Sequence, residues 1–226
     1  MEKYKYLFGS IFSFSILIVV LWISILVPTY DKGFYFRQYE KNNIYDAIHI
    51  SKEDLYNVTT QIIRYLQLRT TQLNVDVEIN SRVRPFYNEK ELEHMADVQD
   101  LFQCYMTLAA VCVMVSVVIF LALRSVKDKL KVIAKCLRAT FILFIITFAL
   151  LAFIISTNFD RYFTIFHEIF FSNDLWILDP ATDLLINIVP LPFFIAIAMY
   201  VAIIFTVLSA LIILGSSVLL LHFAKR

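Results

Sequence analysis

Four long stretches almost free of charge decide what this chain can become: Leu7–Pro28, Leu101–Leu123, Leu137–Ser156 and Phe193–Leu221. Each is about 20 residues or longer, enough at about 1.5 Å per residue to cross a hydrocarbon core of roughly 30 Å. A backbone in lipid has no water to bond to, so such spans must be helices. Composition agrees: 60% of residues are hydrophobic and 17% charged, with a mean hydropathy of +0.72. Ordinary soluble domains have about 45–50% apolar and about 25% charged residues. A soluble protein with four wholly buried helices is the alternative, but the remaining polar segments are too small to enclose them. The first run follows Lys3 and Lys5, as a signal peptide would. It is longer than the usual apolar core of roughly 7–15 residues and has no A-x-A-like site after it, so we expect it to be retained.

Lysine and arginine set the expected orientation. The link between the second and third runs carries Arg124, Lys127, Lys129, Lys131, Lys135 and Arg138 against Asp128. Lys3 and Lys5 precede the first run, and Lys225 and Arg226 follow the last. The segment from Thr157 to Pro190 has Arg161 against Asp160, Glu168, Asp174, Asp179 and Asp183. The positive-inside rule then places both termini and the basic link in the cytoplasm, with residues 29–100 and 157–190 outside. The expected organisation is a mainly α protein, a four-transmembrane-helix bundle with an extracytoplasmic α/β cap. It divides into 1–28 (first span), 29–100 (cap), 101–156 (second span, basic loop, third span), 157–190 (interfacial loop) and 191–226 (fourth span and cytoplasmic end). Cys104, Cys112 and Cys136 form no disulfide framework and read as small packing side chains. A net charge of +1 gives no sign of a nucleic-acid partner, and the 3 glycines make no phosphate-binding loop.

The first outward segment is too short to bury a large core alone. Gly33–Ile44 is aromatic-rich and partly alternating, which predicts an edge strand. Ser51 and Asp54 form an S-x-x-D cap, followed by a stripe of Leu55, Val58, Ile62 and Leu66, which predicts a helix. Leu73–Phe86 alternates, with Val75, Val77 and Ile79 against Asp76, Glu78 and Asn80, as in a strand. Asn88 and Glu91 form another cap pair, and their helix is expected to continue unbroken into the second span. The second outward segment, 161–187, mixes aromatics and acids and suits the membrane interface. Asp179-Pro180 within it predicts a helix start.

Of the 4 histidines, His222 and His49 have ordinary explanations: a cation near a helix C-terminus and a linker residue. His94 lies on the helix extension with Glu91 at i−3 and Asp97 at i+3 on its face. Asp97 is placed to orient the imidazole, as a catalytic histidine requires. His167 lies between Phe163 and Phe166 on one side and Phe170 and Phe171 on the other, where partial desolvation favours the neutral, proton-accepting ring. Both fall at one expected membrane depth, which predicts a shared site. The competing motifs fail. His167-Glu168 starts an H-E-x-x-H pattern, but Phe171 holds the second histidine's place. There is no G-x-S-x-G elbow, and Asn57-Val58-Thr59 is only a three-residue sequon.

Two runs carry a resemblance. Phe34-Tyr35-Phe36…Tyr39-Glu40-Lys41-x-Asn43 with Phe86-Tyr87-Asn88-Glu89-x-Glu91-x-x-His94-Met95-x-Asp97-Val98 is one. Phe166-His167-x-x-Phe170-Phe171-x-Asn173-Asp174-x-Trp176-x-x-Asp179-Pro180-x-x-Asp183-x-Leu185-Ile186 is the other. Together with the four spans, they make nearly the whole chain similar to the lipoprotein intramolecular transacylases of Gram-positive bacteria. The resemblance implies a site on the outer face of the cytoplasmic membrane acting on diacylglyceryl-modified lipoproteins. The sn-2 acyl chain would move to the amino group of the terminal cysteine, giving a lyso form without a cofactor, metal or energy source. The family's two motif histidines correspond to His94 and His167. The substrate amine is then the nucleophile, which fits the lack of a serine or cysteine candidate. His167 is expected as base and His94, steadied by Asp97, as donor, or the reverse, with Asp174, Trp176 and Asp179 shaping the loop. The alternatives are a non-enzymatic four-span scaffold or transporter accessory, and a membrane lipid hydrolase.

Overall fold

The computed structural model describes residues 2–79 and 81–225. Asn80, the last polar residue of the strand alternation, and Arg226, one of the C-terminal cations, lie outside the described residues. After a short 3-10 turn, helix α1 runs from Lys5 to Tyr30, α2 from Lys32 to Lys41, α3 from Ile44 to Ala47 and α4 from Lys52 to Leu66. Strands β1 (Asp76–Ile79) and β2 (Arg82–Pro85) follow, then α5 (Glu89–Ala122), α6 (Lys129–Thr157), α7 (Phe159–Phe170), α8 (Leu184–Ile188) and α9 (Leu191–Ala224). Among the described residues, four helices are long and apolar enough to cross a membrane: Glu2–Tyr30, Glu89–Ser125, Lys129–Thr157 and Leu191–Ala224. Each contains one of the four nearly uncharged runs. The first three turns of α5 are a polar extension, ahead of the apolar run that starts at Leu101.

The chain forms two compact units. One comprises Met1–Leu26, Tyr105–Thr157 and Tyr200–Arg226, and the other Val27–Cys104 and Asn158–Met199. In the first, α1, α6 and α9 pack around Leu17, Val20, Phe141 and Phe205. A second cluster joins Ile119, Leu123, Val126 and Ile133. At Gly9, α1 and α6 approach so closely that an added Cβ would lie 2.8 Å from Cys136 Sγ, so a larger residue requires the side chains of α6 or the helix itself to shift. Met114, Val118, Leu143, Ile146, Phe153, Leu211 and Leu214 are exposed, an apolar surface that suits lipid rather than water.

In the second unit the stripe of α4 is buried as expected, at Leu55, Val58, Ile62 and Leu66, and Ser51 accepts from Asp54 N at its start. Three sequence expectations are corrected. The segment predicted as an edge strand is the helix α2. Asp31 caps it by accepting from Phe34 N, and Phe34, Tyr35 and Tyr39 form its buried face. Its aromatics are spaced for one helix face, and Tyr39 is held inside by a 3.0 Å bond to Thr59 Oγ1. Bulky aromatic residues suit a strand as well as a helix face, and here the contact of Tyr39 with α4 favours the helix.

The single strand expected over Leu73–Phe86 is instead the hairpin β1–β2, antiparallel with Ile79 opposite Arg82. Ser81 takes the left-handed conformation (φ 60°) that a two-residue hairpin turn requires. Asp179-Pro180 opens one turn rather than a helix. Asp179 Oδ1 accepts from Ala181 N, Asp183 N returns to Asp179 O at 2.8 Å, and helix starts again only at Leu184.

Candidate active site

The start of α5 is a complete capping box. Asn88 Oδ1 accepts from Glu91 N at 2.9 Å, and Glu91 Oε2 accepts from Asn88 N at 2.8 Å. One turn on, His94 points inward and is 8% exposed. Its Nδ1 is buried without a hydrogen-bond partner among the described residues. Burial, followed by the neighbouring His167, pushes its pKa down to about 4, against a smaller upward pull from Asp97.

Asn158 caps α7 by accepting from Arg161 N. His167 is the buried residue of this helix, while Phe166, Ile169 and Phe170 are exposed. His167 Nδ1 lies 2.7 Å from Phe163 O. A carbonyl can only accept, so Nδ1 donates and the neutral ring keeps its lone pair on Nε2. Burial lowers the pKa, partly offset by that bond. The ring sits in an aromatic box: Phe163 at 4.3 Å, Trp176 stacked at 4.9 Å, Phe166 at 5.4 Å and Phe171 at 5.5 Å between centroids.

Seventy-three positions apart in the chain, the two imidazoles come within 6.2 Å of each other, centroid to centroid. Phe171 also lies edge-on to His94 at 5.4 Å. Beside Phe171 opens a cavity of about 290 Å³, lined also by Asp97, Asp100, Leu101, Cys104, Phe170, Ser172 and Asn173. A larger open cleft of about 730 Å³ near His49, Glu53, Asp54, Asp76 and Glu78 includes neither histidine of the pair.

The other expected residues separate. Trp176 packs on His167. Asp174 and Asp179 are exposed loop residues, Asp179 holding its own turn. Glu91 is 1% exposed; besides closing the capping box it accepts from Leu185 N at 2.6 Å. Asp97 does not orient His94 through a hydrogen bond. Its Oδ2 accepts from Asn173 Nδ2 at 2.8 Å instead, because the loop after α7 brings that amide within reach of it. Asn173, Phe171 and Asp183, named from the sequence only as loop or motif residues, also take part in the site. Asp183 accepts from Asn88 Nδ2 (2.8 Å) and Asp179 N (2.7 Å), with Lys90 Nζ 3.9 Å away.

The sequence matches the family model of Lit, the lipoprotein intramolecular transacylase, over residues 10–194. The chain belongs to the Lit family. It is therefore an acyl-transferring membrane enzyme, which sets aside the scaffold and hydrolase alternatives. Solved structures of Lit from Bacillus cereus have the same fold. One shares 22% identity at a TM-score of 0.73 and covers 100% of this chain and 96% of its own. Variants with one histidine replaced by alanine or by arginine share 20% identity, at TM-scores of 0.75 and 0.74. They cover 98% of this chain and, in that order, 96% and 94% of their own. No curated protein sequence gives a match.

Proposed function

We propose that this enzyme takes a lipoprotein whose N-terminal cysteine bears a diacylglyceryl thioether and moves its sn-2 acyl chain to the cysteine α-amino group. The observation that carries this reading is the pair of desolvated imidazoles 6.2 Å apart. In the proposed chemistry the amine nitrogen attacks the ester carbonyl carbon, and the carbon–oxygen bond to glycerol breaks. His167 Nε2, its lone pair left free by the bond from Nδ1 to Phe163, removes a proton from the attacking nitrogen and returns it to the glycerol oxygen. His94, held neutral by burial, donates its N–H to the developing oxyanion, as a neutral imidazole can without releasing a full proton. Trp176 and Phe163 keep the base ring in place and water away from it. Amine and ester belong to one bound lipid, so proximity comes from the substrate itself.

The distribution of lysine and arginine supports a bacterial cytoplasmic-membrane protein with both termini inside and the site on the outer face. Mass spectrometry of lipoproteins from cells expressing the wild type, His94→Ala or His167→Ala tests the reaction. Transfer conserves acyl mass and relocates one chain to nitrogen. Each variant should lose about 10²–10⁴-fold of that activity. Lyso-lipoprotein at wild-type levels in both would refute the pair.

A further inference from the structure

His94 is flanked one turn to each side by a carboxylate, Glu91 and Asp97, and neither bonds to the imidazole. Each reaches instead to the segment after α7, Asp97 to its loop and Glu91 to the first turn of α8. Glu91 Oε1 accepts from Leu185 N at 2.6 Å, supplying the cap that Asp183, at the N-cap position of α8, does not make for its own helix. Asp97 Oδ2 accepts from Asn173 Nδ2 at 2.8 Å. The orientation of the Asn173 amide follows from its other bond. Its Oδ1 accepts from Leu175 N at 3.1 Å, which turns the NH₂ group toward Asp97. Between these two anchor points the loop carries Trp176, stacked on His167, while Phe171 just ahead of Asn173 touches both imidazoles.

We propose that Glu91 and Asp97 are positioning residues: two clasps that fasten α5 to residues 171–185 on either side of His94 and so set the approach of the two imidazoles. This rests on the reading of His94 and His167 as the reacting pair. A clasp acts on the distance between catalytic groups rather than on affinity. Small displacements of reacting groups cost rate steeply, about 10²-fold for roughly 1 Å. Loss of a clasp should therefore appear in kcat and leave KM nearly unmoved.

The Asp97–Asn173 clasp can be broken and rebuilt by exchange. Asn173→Asp keeps the acceptor for Leu175 N but sets two carboxylates against each other, and adding Asp97→Asn restores an amide–carboxylate pair with the donor on the other side. The assay uses the full chain, purified and given a synthetic lipopeptide with an S-diacylglyceryl N-terminal cysteine, and follows the N-acylated product. Asn173→Asp should lower kcat about tenfold or more with KM within about threefold. The exchanged double variant should recover most of that loss. Asp97→Asn alone, which keeps an oxygen for the Asn173 donor, should be impaired less than Asn173→Asp.

Wild-type turnover in Asn173→Asp, or a double variant no faster than the single one, overturns the clasp. So does an Asp97→Asn variant as inactive as His94→Ala, which would put the carboxylate on the substrate itself. His94→Ala run in parallel separates the two claims. If it turns over normally the histidine pair is wrong, and if it is dead while the exchange fails to rescue, only the clasp is wrong.

Discussion

His94 and His167 are neutral because they are buried, and this has a consequence for acid stability. An unfolded histidine takes up a proton near pH 6.5, while His94 in the fold does so only at about 4. Between those values the unfolded chain binds more protons, so stability rises with pH there. It is complete above about 6.5 and is lost as pH falls toward 4. His167, also lowered, acts in the same direction. Glu91, raised by burial, acts in the opposite one, since its folded form holds a proton at pH values where an unfolded carboxyl has released it. His94→Phe isolates the histidine's share. Thermal unfolding in detergent from pH 7 to 4 should fall less steeply for this variant than for the wild type, and an equal slope would contradict the depressed pKa. This neutrality was legible at His167, where phenyl groups flank the ring in the chain. At His94 the neighbours at helical spacing include the charged Lys90, Glu91 and Asp97, and the aromatic contacts come from Phe171 and His167, which are distant in sequence.

At the scale of elements, α5 begins the site because its capping box does two jobs. Glu91 satisfies Asn88 N with one oxygen and Leu185 N with the other. Glu91→Gln keeps the shape but turns an NH₂ toward one of these donors. A buried donor left unpaired costs about 1–3 kcal/mol, so the melting temperature in detergent should drop clearly. Glu53→Gln, an exposed change on the first turn of α4, should leave it nearly unchanged. A drop no larger than that of the exposed change would show that the Leu185 bond contributes little. Elements with a cap and a stripe, α4 and α5, could be read from the chain because both signals are local. The helix α2 could not, since its aromatic residues suit either structure until Tyr39 meets Thr59. The break between β1 and β2 depends on a turn at Ser81 that a continuous alternation hides.

For the whole molecule, the orientation inferred from its cations is open to a direct check. In a cysteine-free background, a membrane-impermeant maleimide applied to intact cells should label Ser81→Cys. It should reach Lys127→Cys only after the membrane is opened, and the reverse pattern would invert the topology. The four spans followed from composition within short windows, because the cost of placing charge or an unpaired backbone in lipid is paid residue by residue and needs no knowledge of neighbours. The cation asymmetry is additive in the same way. The sequence alone also carried the cap at Asn88 and the two histidines as candidates. Only the tertiary structure decided what those histidines touch. The 6.2 Å approach of rings on α5 and α7, the turn of Asp97 away from His94 to Asn173, and the reach of Glu91 to Leu185 are contacts between distant segments. Which partner a carboxylate takes depends on what the folded chain brings within about 3 Å, and no local pattern contains that.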